Sequence, residues 1–201
     1  MKVEAVIFDL GRVLIDVDFT RGLFPYLDGQ SGKDDQTILK EVFKNPLFRN
    51  YSMGKISTDT LYQEFKSIFR LDLGFERFSQ LWCDVFTPMK GMDEIVERVA
   101  RRFKTGILSD TDPLHWEFVL KEYPILQHIP YRTLSFEIGA LKPDPICYKM
   151  AARNVGTPME SCLFIDDRDI NIAGAVEAGM QAIRFIDINQ IQSDLNARGI
   201  L

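Results

Sequence analysis

The sequence predicts an α/β protein: a doubly wound parallel sheet with a small helical domain inserted after its first strand. Three observations lead there. Short apolar runs rich in Val, Ile and Phe recur along the chain, and after residue 88 they alternate with segments of helical periodicity. Such alternation builds βαβ units, whose right-handed crossovers make the sheet parallel. Between residues 16 and 88 the texture is helical instead, and 13 of the 23 aromatic residues fall there, which calls for a second small core.

The first strand is Val3-Glu4-Ala5-Val6-Ile7-Phe8, which runs into Asp9-Leu10-Gly11. A short apolar run bounded by a glycine turn fits a buried parallel strand. Ile15-Asp16-Val17-Asp18-Phe19 alternates as a short exposed strand or flap leading out of the sheet. Helices are expected over 35–44, over 58–69 behind a Ser57 N-cap, and over 75–85. Tyr62, Phe65 and Phe69, and then Phe75, Phe78 and Trp82, recur at helical spacing and pack between these helices. Past Thr87-Pro88, residues 93–103 put Ile95, Val96, Val99, Ala100 and Phe103 on one face, as in a helix that covers a sheet.

A second βα unit follows, with 104–108 as strand, Ser109-Asp110-Thr111 as its exit, and Asp112-Pro113 as N-cap and first helical position. Residues 131–135 form a third strand, and Leu141-Lys142-Pro143-Asp144-Pro145 is a loop into a helix ending near Gly156. Residues 161–165 are a fourth strand that delivers Asp166-Asp167. A helix over 169–178 is closed by Gly179, and 181–185 is the fifth strand. The reading is a Rossmann-like core from residues 1–15 and 89–201, with a helical cap from 16–88 over the carboxyl edge of the sheet.

Composition narrows the function classes. The chain has 201 residues, 46% hydrophobic and 26% charged, which suits one good core plus a smaller appended unit. With 24 basic and 29 acidic residues the net charge is −5, and no dense Lys/Arg cluster offers a footprint for nucleic acid. Cys83, Cys147 and Cys162 lie far apart without a C-x-x-C pair, which argues against a disulfide framework or a structural zinc and for a reducing cytoplasm. No apolar run approaches the roughly 18 residues of a membrane span, so no membrane partner is expected. Oligomeric state is left open.

Strand ends deliver Asp9, Ser109 and Asp166-Asp167, and the loop after the third strand delivers Lys142. In a doubly wound sheet such ends converge. Three carboxylates brought together raise one another's pKa unless a cation holds them ionised. A hard divalent ion meets that need, since Mg²⁺ takes one or two carboxylates, waters and a phosphate oxygen. The Ser109 hydroxyl and the N–H groups after it suit a phosphate oxygen, and Lys142 adds positive charge. Asp110, Asp112 and Asp144 read by themselves as turn or cap formers. His115 and His128 have no partner at metal or triad spacing and read as structural, and Cys162 as a packing residue.

The order Phe8-Asp9-Leu10-Gly11, Leu108-Ser109, Leu141-Lys142-Pro143-Asp144 and Phe164-Ile165-Asp166-Asp167 resembles the four motifs of the haloacid dehalogenase superfamily across the whole chain. The insertion resembles that superfamily's helical cap. The Asp-Leu-Gly opening is similar to its glucose-1-phosphatase-like branch, related to the phosphatase domain of soluble epoxide hydrolases. The resemblance implies a Mg²⁺-dependent phosphatase acting on a small phosphorylated metabolite such as a sugar phosphate, with Asp9 as nucleophile forming an aspartyl-phosphate. It implies Asp9, the Gly11 carbonyl, Asp166 and Asp167 as the metal set. Lys142 orients the nucleophile and offsets charge in the transition state, and Ser109, Asp110 and Lys142 bind the substrate.

One position departs from the pattern. Most phosphatases of this superfamily carry a second Asp two residues after the nucleophile as general acid and base, and here that residue is Gly11. Positioned acid–base catalysis contributes about 10² to 10⁴-fold, so its loss implies slow turnover or an easily departing leaving group. Asp16 and Asp18 are candidate substitutes, although exposed flap carboxylates are the plainer reading. Arg12 is a turn residue or an anion contact. Two alternatives use the same residues: a catalytically weak protein that keeps the phosphate site for binding, and a hydrolytic dehalogenase whose Asp attacks carbon without a metal. The Asp166-Asp167 pair weighs against the second, because an uncompensated carboxylate beside the nucleophile repels an anionic haloacid.

Overall fold

The computed structural model describes residues 2–23 and 45–201, so the helix expected over 35–44 lies outside the described residues. The strands are β1 (Ala5–Phe8), β2 (Ile15–Val17), β3 (Phe86–Pro88), β4 (Lys104–Ser109), β5 (Tyr131–Leu134), β6 (Cys162–Asp166) and β7 (Gln181–Arg184). The helices are α1 (Pro46–Ser52), α2 (Thr58–Phe69), α3 (Phe75–Cys83), α4 (Met92–Ala100), α5 (Pro113–Glu122), α6 (Ser135–Ile138), α7 (Pro145–Val155), α8 (Asp169–Glu177) and α9 (Ile188–Ala197).

Five strands form one parallel sheet in the order β5-β4-β1-β6-β7. The chain moves outward from β1 through β4 to β5, then returns to the other side of β1 for β6 and β7. The switch point therefore falls at the carboxyl end of β1, where an open α/β sheet leaves a crevice for ligands. Alternation along the strands gives each face its own core. Val6, Phe8, Ile107, Leu163 and Ile165 pack against α4, α5 and α9. Ala5, Ile7, Leu108, Cys162 and Phe164 pack against α7 and α8 on the other side. The predicted doubly wound sheet is thus the observed one.

The expected caps form because each side chain reaches an orphan helix N–H. Ser57 accepts from Thr60 N–H at 3.1 Å, Asp112 from His115 N–H at 3.0 Å and Asp144 from Ile146 N–H at 3.0 Å. A separate aromatic core holds α1, α2 and α3 together around Tyr51, Tyr62, Phe65, Phe78 and Trp82. Trp82 stacks on Phe78 at 5.6 Å and meets Phe65 edge-on at 5.3 Å, both favourable arrangements for ring quadrupoles.

Three details differ from the sequence expectation. The flap residues Ile15–Val17 pair antiparallel with Phe86–Pro88, so the chain's departure from the sheet and its return are hydrogen-bonded together. Ser135 ends the third strand one residue early and begins α6. The helices α1 and α9 lie outside the helices the sequence predicts, although Asn45-Pro46 and Asp187 cap them as such residues do elsewhere in this chain.

Candidate active site

Asp9 follows β1 directly, and parallel pairing puts the ends of β4 and β6 on either side of it. Ser109 ends β4 and is buried, while Asp166 ends β6 and is fully buried. Lys142 arrives from the loop before α7. Its Nζ lies 2.8 Å from Asp9 Oδ1 and 2.7 Å from Asp166 Oδ2, and donates also to the Leu108 carbonyl at 3.2 Å. Asp9 Oδ1 further accepts the Leu10 N–H at 2.7 Å, which fixes the carboxylate's orientation.

The electrostatics follow from burial and company. Burial pushes the Asp9 carboxyl up to about 7, with the Asp166 charge adding to it and Lys142 pulling the other way. Burial also opposes charge on Lys142, but Asp9, Asp166 and Asp110 around it override that and hold the ammonium well above its usual range. The Asp167 carboxyl is raised by burial and by Asp166. Carboxylate oxygens of Asp9, Asp166 and Asp167 all lie within 4.8 Å of one another. Lys142 contacts only two of these acids, so the cluster stays short of positive charge. Hard oxygen donors, converging and undercompensated, are a donor set that fits Mg²⁺.

A cavity of about 200 Å³ opens above this cluster, lined by Asp9, Gly11, Ser109, Asp110, Lys142 and Asp167 on the sheet side. These are the sequence-predicted residues, together with Asp166 beneath them. Asp110 turns its Oδ1 to the Lys142 backbone N–H at 3.0 Å, tying the β4 exit to the lysine loop. Of the N–H groups expected to meet a phosphate oxygen, that of Thr111 is already committed to Ser135 Oγ at 3.0 Å. Asp16 and Asp18 do not line the cavity. Asp16 accepts from its neighbour Val17, and Asp18 accepts from Thr20. A Cβ on Gly11 would stand 3.1 Å from Val17 Cγ2, so a valine methyl already occupies the space beside the glycine.

The sequence reading missed Asn171, on α8. Its Nδ2 donates to both oxygens of Asp166 at 3.0 Å, and its backbone carbonyl accepts from the Tyr148 hydroxyl at 2.8 Å. The signal was available: an amide five residues past Asp166, in the first turn of α8, points back at the strand end. His115 and Asp112 also reach the cavity wall.

Residues 3–179 match the haloacid dehalogenase-like hydrolase family. The chain is 23% identical over 190 residues to the D-ribitol-5-phosphate phosphatase of Bacteroides thetaiotaomicron, covering 90% of this chain and 91% of that one. It is 29% identical over 203 residues to phosphatase MT3486 of Mycobacterium tuberculosis, covering 90% and 87%. Its fold is similar to that of a HAD family enzyme of Bacteroides thetaiotaomicron in complex with magnesium and inorganic phosphate, with a TM-score of 0.80, 21% identity and coverage of 92% and 95%. The chain belongs to the haloacid dehalogenase-like hydrolase family.

Proposed function

We propose that this protein is a Mg²⁺-dependent phosphatase that hydrolyses a small phosphorylated metabolite through an aspartyl-phosphate on Asp9. The observation that carries the reading is the buried Lys142 bridging Asp9 and Asp166 inside a three-carboxylate cluster. A site that gathers this much negative charge is suited to an anionic substrate only if cations accompany it. Asp9, Asp166, Asp167 and the Gly11 carbonyl would hold the Mg²⁺. When bound, the ion supplies positive charge that neutralises the phosphoryl oxygens and the carboxylates.

The chain's own residues do the rest. Ser109 and Lys142 take equatorial phosphoryl oxygens, with Asp110 holding the Lys142 loop against the β4 exit. The Leu10 N–H and Lys142 aim the Asp9 carboxylate, which attacks phosphorus while the bond to the leaving oxygen breaks. Water then attacks the aspartyl-phosphate at phosphorus, releasing inorganic phosphate and restoring Asp9. Asp16 and Asp18, the candidate substitutes for the absent side chain at Gly11, do not line the cavity, so the leaving oxygen takes its proton from solvent, and turnover is slow or restricted to leaving groups that depart easily. The cap is assigned to residues 16–88 and the catalytic core to 1–15 and 89–201, supported by the separate aromatic core of α1 to α3. No described helix is long and apolar enough to cross a membrane, and the three cysteines are free and buried, which suits a reducing cytoplasm.

The test is hydrolysis of p-nitrophenyl phosphate and a sugar-phosphate panel with Mg²⁺, with EDTA and with Asp9→Asn. Turnover that needs Mg²⁺ and disappears in Asp9→Asn is expected. Metal-independent turnover, or activity that survives Asp9→Asn, overturns the assignment.

A further inference from the structure

We propose that the Asp112–His115 pair is a charged clasp that positions the aromatic wall of the cavity, and so sets which organic group the site accepts beyond the phosphate. The inference rests on the phosphatase reading for its biological meaning, but its geometry is independent of the reaction centre.

His115 sits near the start of α5 with both ring nitrogens engaged. Nδ1 lies 2.8 Å from Asp112 Oδ2, and Nε2 lies 2.9 Å from the Trp82 carbonyl on α3. A carbonyl oxygen only accepts, so Nε2 must carry a proton to bond to it. Asp112 meanwhile accepts the His115 backbone N–H at 3.0 Å and the Trp82 indole N–H at 3.2 Å. With a carboxylate at Nδ1 and a carbonyl at Nε2, the ring is an imidazolium. Burial alone would discharge it, and Asp112 overrides that, so the net shift is upward.

The charge is sandwiched in aromatic surface. The ring stacks on Trp82 at 5.4 Å and 19°, and Phe86 meets it edge-on at 4.9 Å. Trp82 in turn packs against Phe48 at 6.1 Å. Phe48, Phe86 and His115 all line the cavity above Asp9. His115 therefore joins α5 of the sheet domain to α3 of the helical unit, and the rings it orders are those that face a bound organic group. Because both nitrogens are committed, it is a positioning residue and donates no proton to a substrate.

Three other titratable groups stand around it, Cys83, Tyr51 and Glu117. Cys83 of α3, whose Sγ faces the Leu114 carbonyl, is pushed up to about 12 by burial and by Asp112. Tyr51 of α1, whose hydroxyl accepts the Leu114 N–H, is raised further by burial and Asp112. Glu117 lies exposed two residues on in α5, facing away from the ring. The clasp is present below the ordinary histidine pKa and is lost as pH rises through the raised one, when the Nε2 lone pair would face the Trp82 carbonyl oxygen.

The experiment has two arms. In the first, long-range ¹H–¹⁵N correlation on the native protein reads the two histidines, with His128→Gln assigning the exposed one. His115 is expected as a doubly protonated imidazolium at pH 7, and a neutral ring there overturns the clasp. In the second, calorimetry in Mg²⁺ compares phenylphosphonate with inorganic phosphate as probes, on wild type, His115→Phe and Asp112→Asn. Loss of the clasp is expected to weaken phenylphosphonate about tenfold while phosphate stays within twofold. Equal weakening of both probes, or of neither, in whichever variant keeps its native circular dichroism, overturns the positioning role. Neither arm needs turnover, so failure of the phosphatase assay and failure of the clasp are separate outcomes.

Discussion

Lys142→Met removes the ammonium that contacts Asp9 at 2.8 Å and Asp166 at 2.7 Å, while keeping most of the side chain's volume. Two buried carboxylates with oxygens no more than 4.8 Å apart are then left facing each other. At an effective dielectric of about 20, unit charges at that separation would repel by about 3.5 kcal/mol, which drives Asp9, already raised to about 7 beside the lysine, to take up a proton. Removing one partner from a buried ion pair generally destabilises by about 3–5 kcal/mol. For a domain of this size each kcal/mol moves Tm by about 2–4 °C, so Tm in EDTA falls by roughly 6–20 °C. The assay is urea unfolding in EDTA followed by far-ultraviolet circular dichroism, with a second probe to check two-state behaviour. Mg²⁺ should then restore more stability to the variant than to wild type, reaching about 2.7 kcal/mol at one hundred times its Kd. A variant within about 1 kcal/mol of wild type in EDTA would refute the view that Lys142 is the main internal counterion of the two acids.

Three further outcomes follow from the same geometry. Asn171→Leu removes both amide hydrogen bonds to Asp166, and is expected to weaken Mg²⁺ binding about 10- to 100-fold, read by Mg²⁺-dependent thermal shift. Gly174→Ala would bring a Cβ to 2.7 Å from Pro143 Cβ and 2.8 Å from the Tyr148 hydroxyl, so it should cost about 1–3 kcal/mol in urea unfolding and lower kcat by displacing the Lys142 loop. Gly11→Asp, with Val17→Ala to clear the methyl 3.1 Å away, is expected to raise kcat on alkyl phosphates by up to about 10² to 10⁴-fold, and an unchanged rate means proton transfer does not limit turnover.

The fold was legible because its signals are local. Ala5 to Phe8 and Cys162 to Ile165 are apolar on both faces, as strands covered on both sides must be, and Ser57, Asp112 and Asp144 mark helix starts within a residue. Where pairing made the element, the sequence was mute. Phe86–Pro88 is three residues ending in proline, and becomes a strand only because Ile15–Val17 lies beside it. Helix α9 leaves little trace in the sequence because its buried residues, Ile191 and Leu195, mark only a thin stripe in a mostly polar stretch.

The site divides in the same way. The chain by itself determined which residues stand at the carboxyl ends of strands: Asp9, Ser109 and Asp166, with Lys142 in a loop and Gly11 lacking a side chain. It did so because strand periodicity, caps and the spacing of the motifs are written in neighbouring residues. Only the tertiary structure decided how charge is shared: Lys142 between two acids, Asn171 across Asp166, Asp110 on the lysine loop. It alone turned His115, in sequence an isolated histidine, into one whose nitrogens meet Asp112 and the Trp82 carbonyl. These are contacts between distant segments, and their strength depends on burial, which exists only once the sheet and the helices around it have closed over the groups concerned.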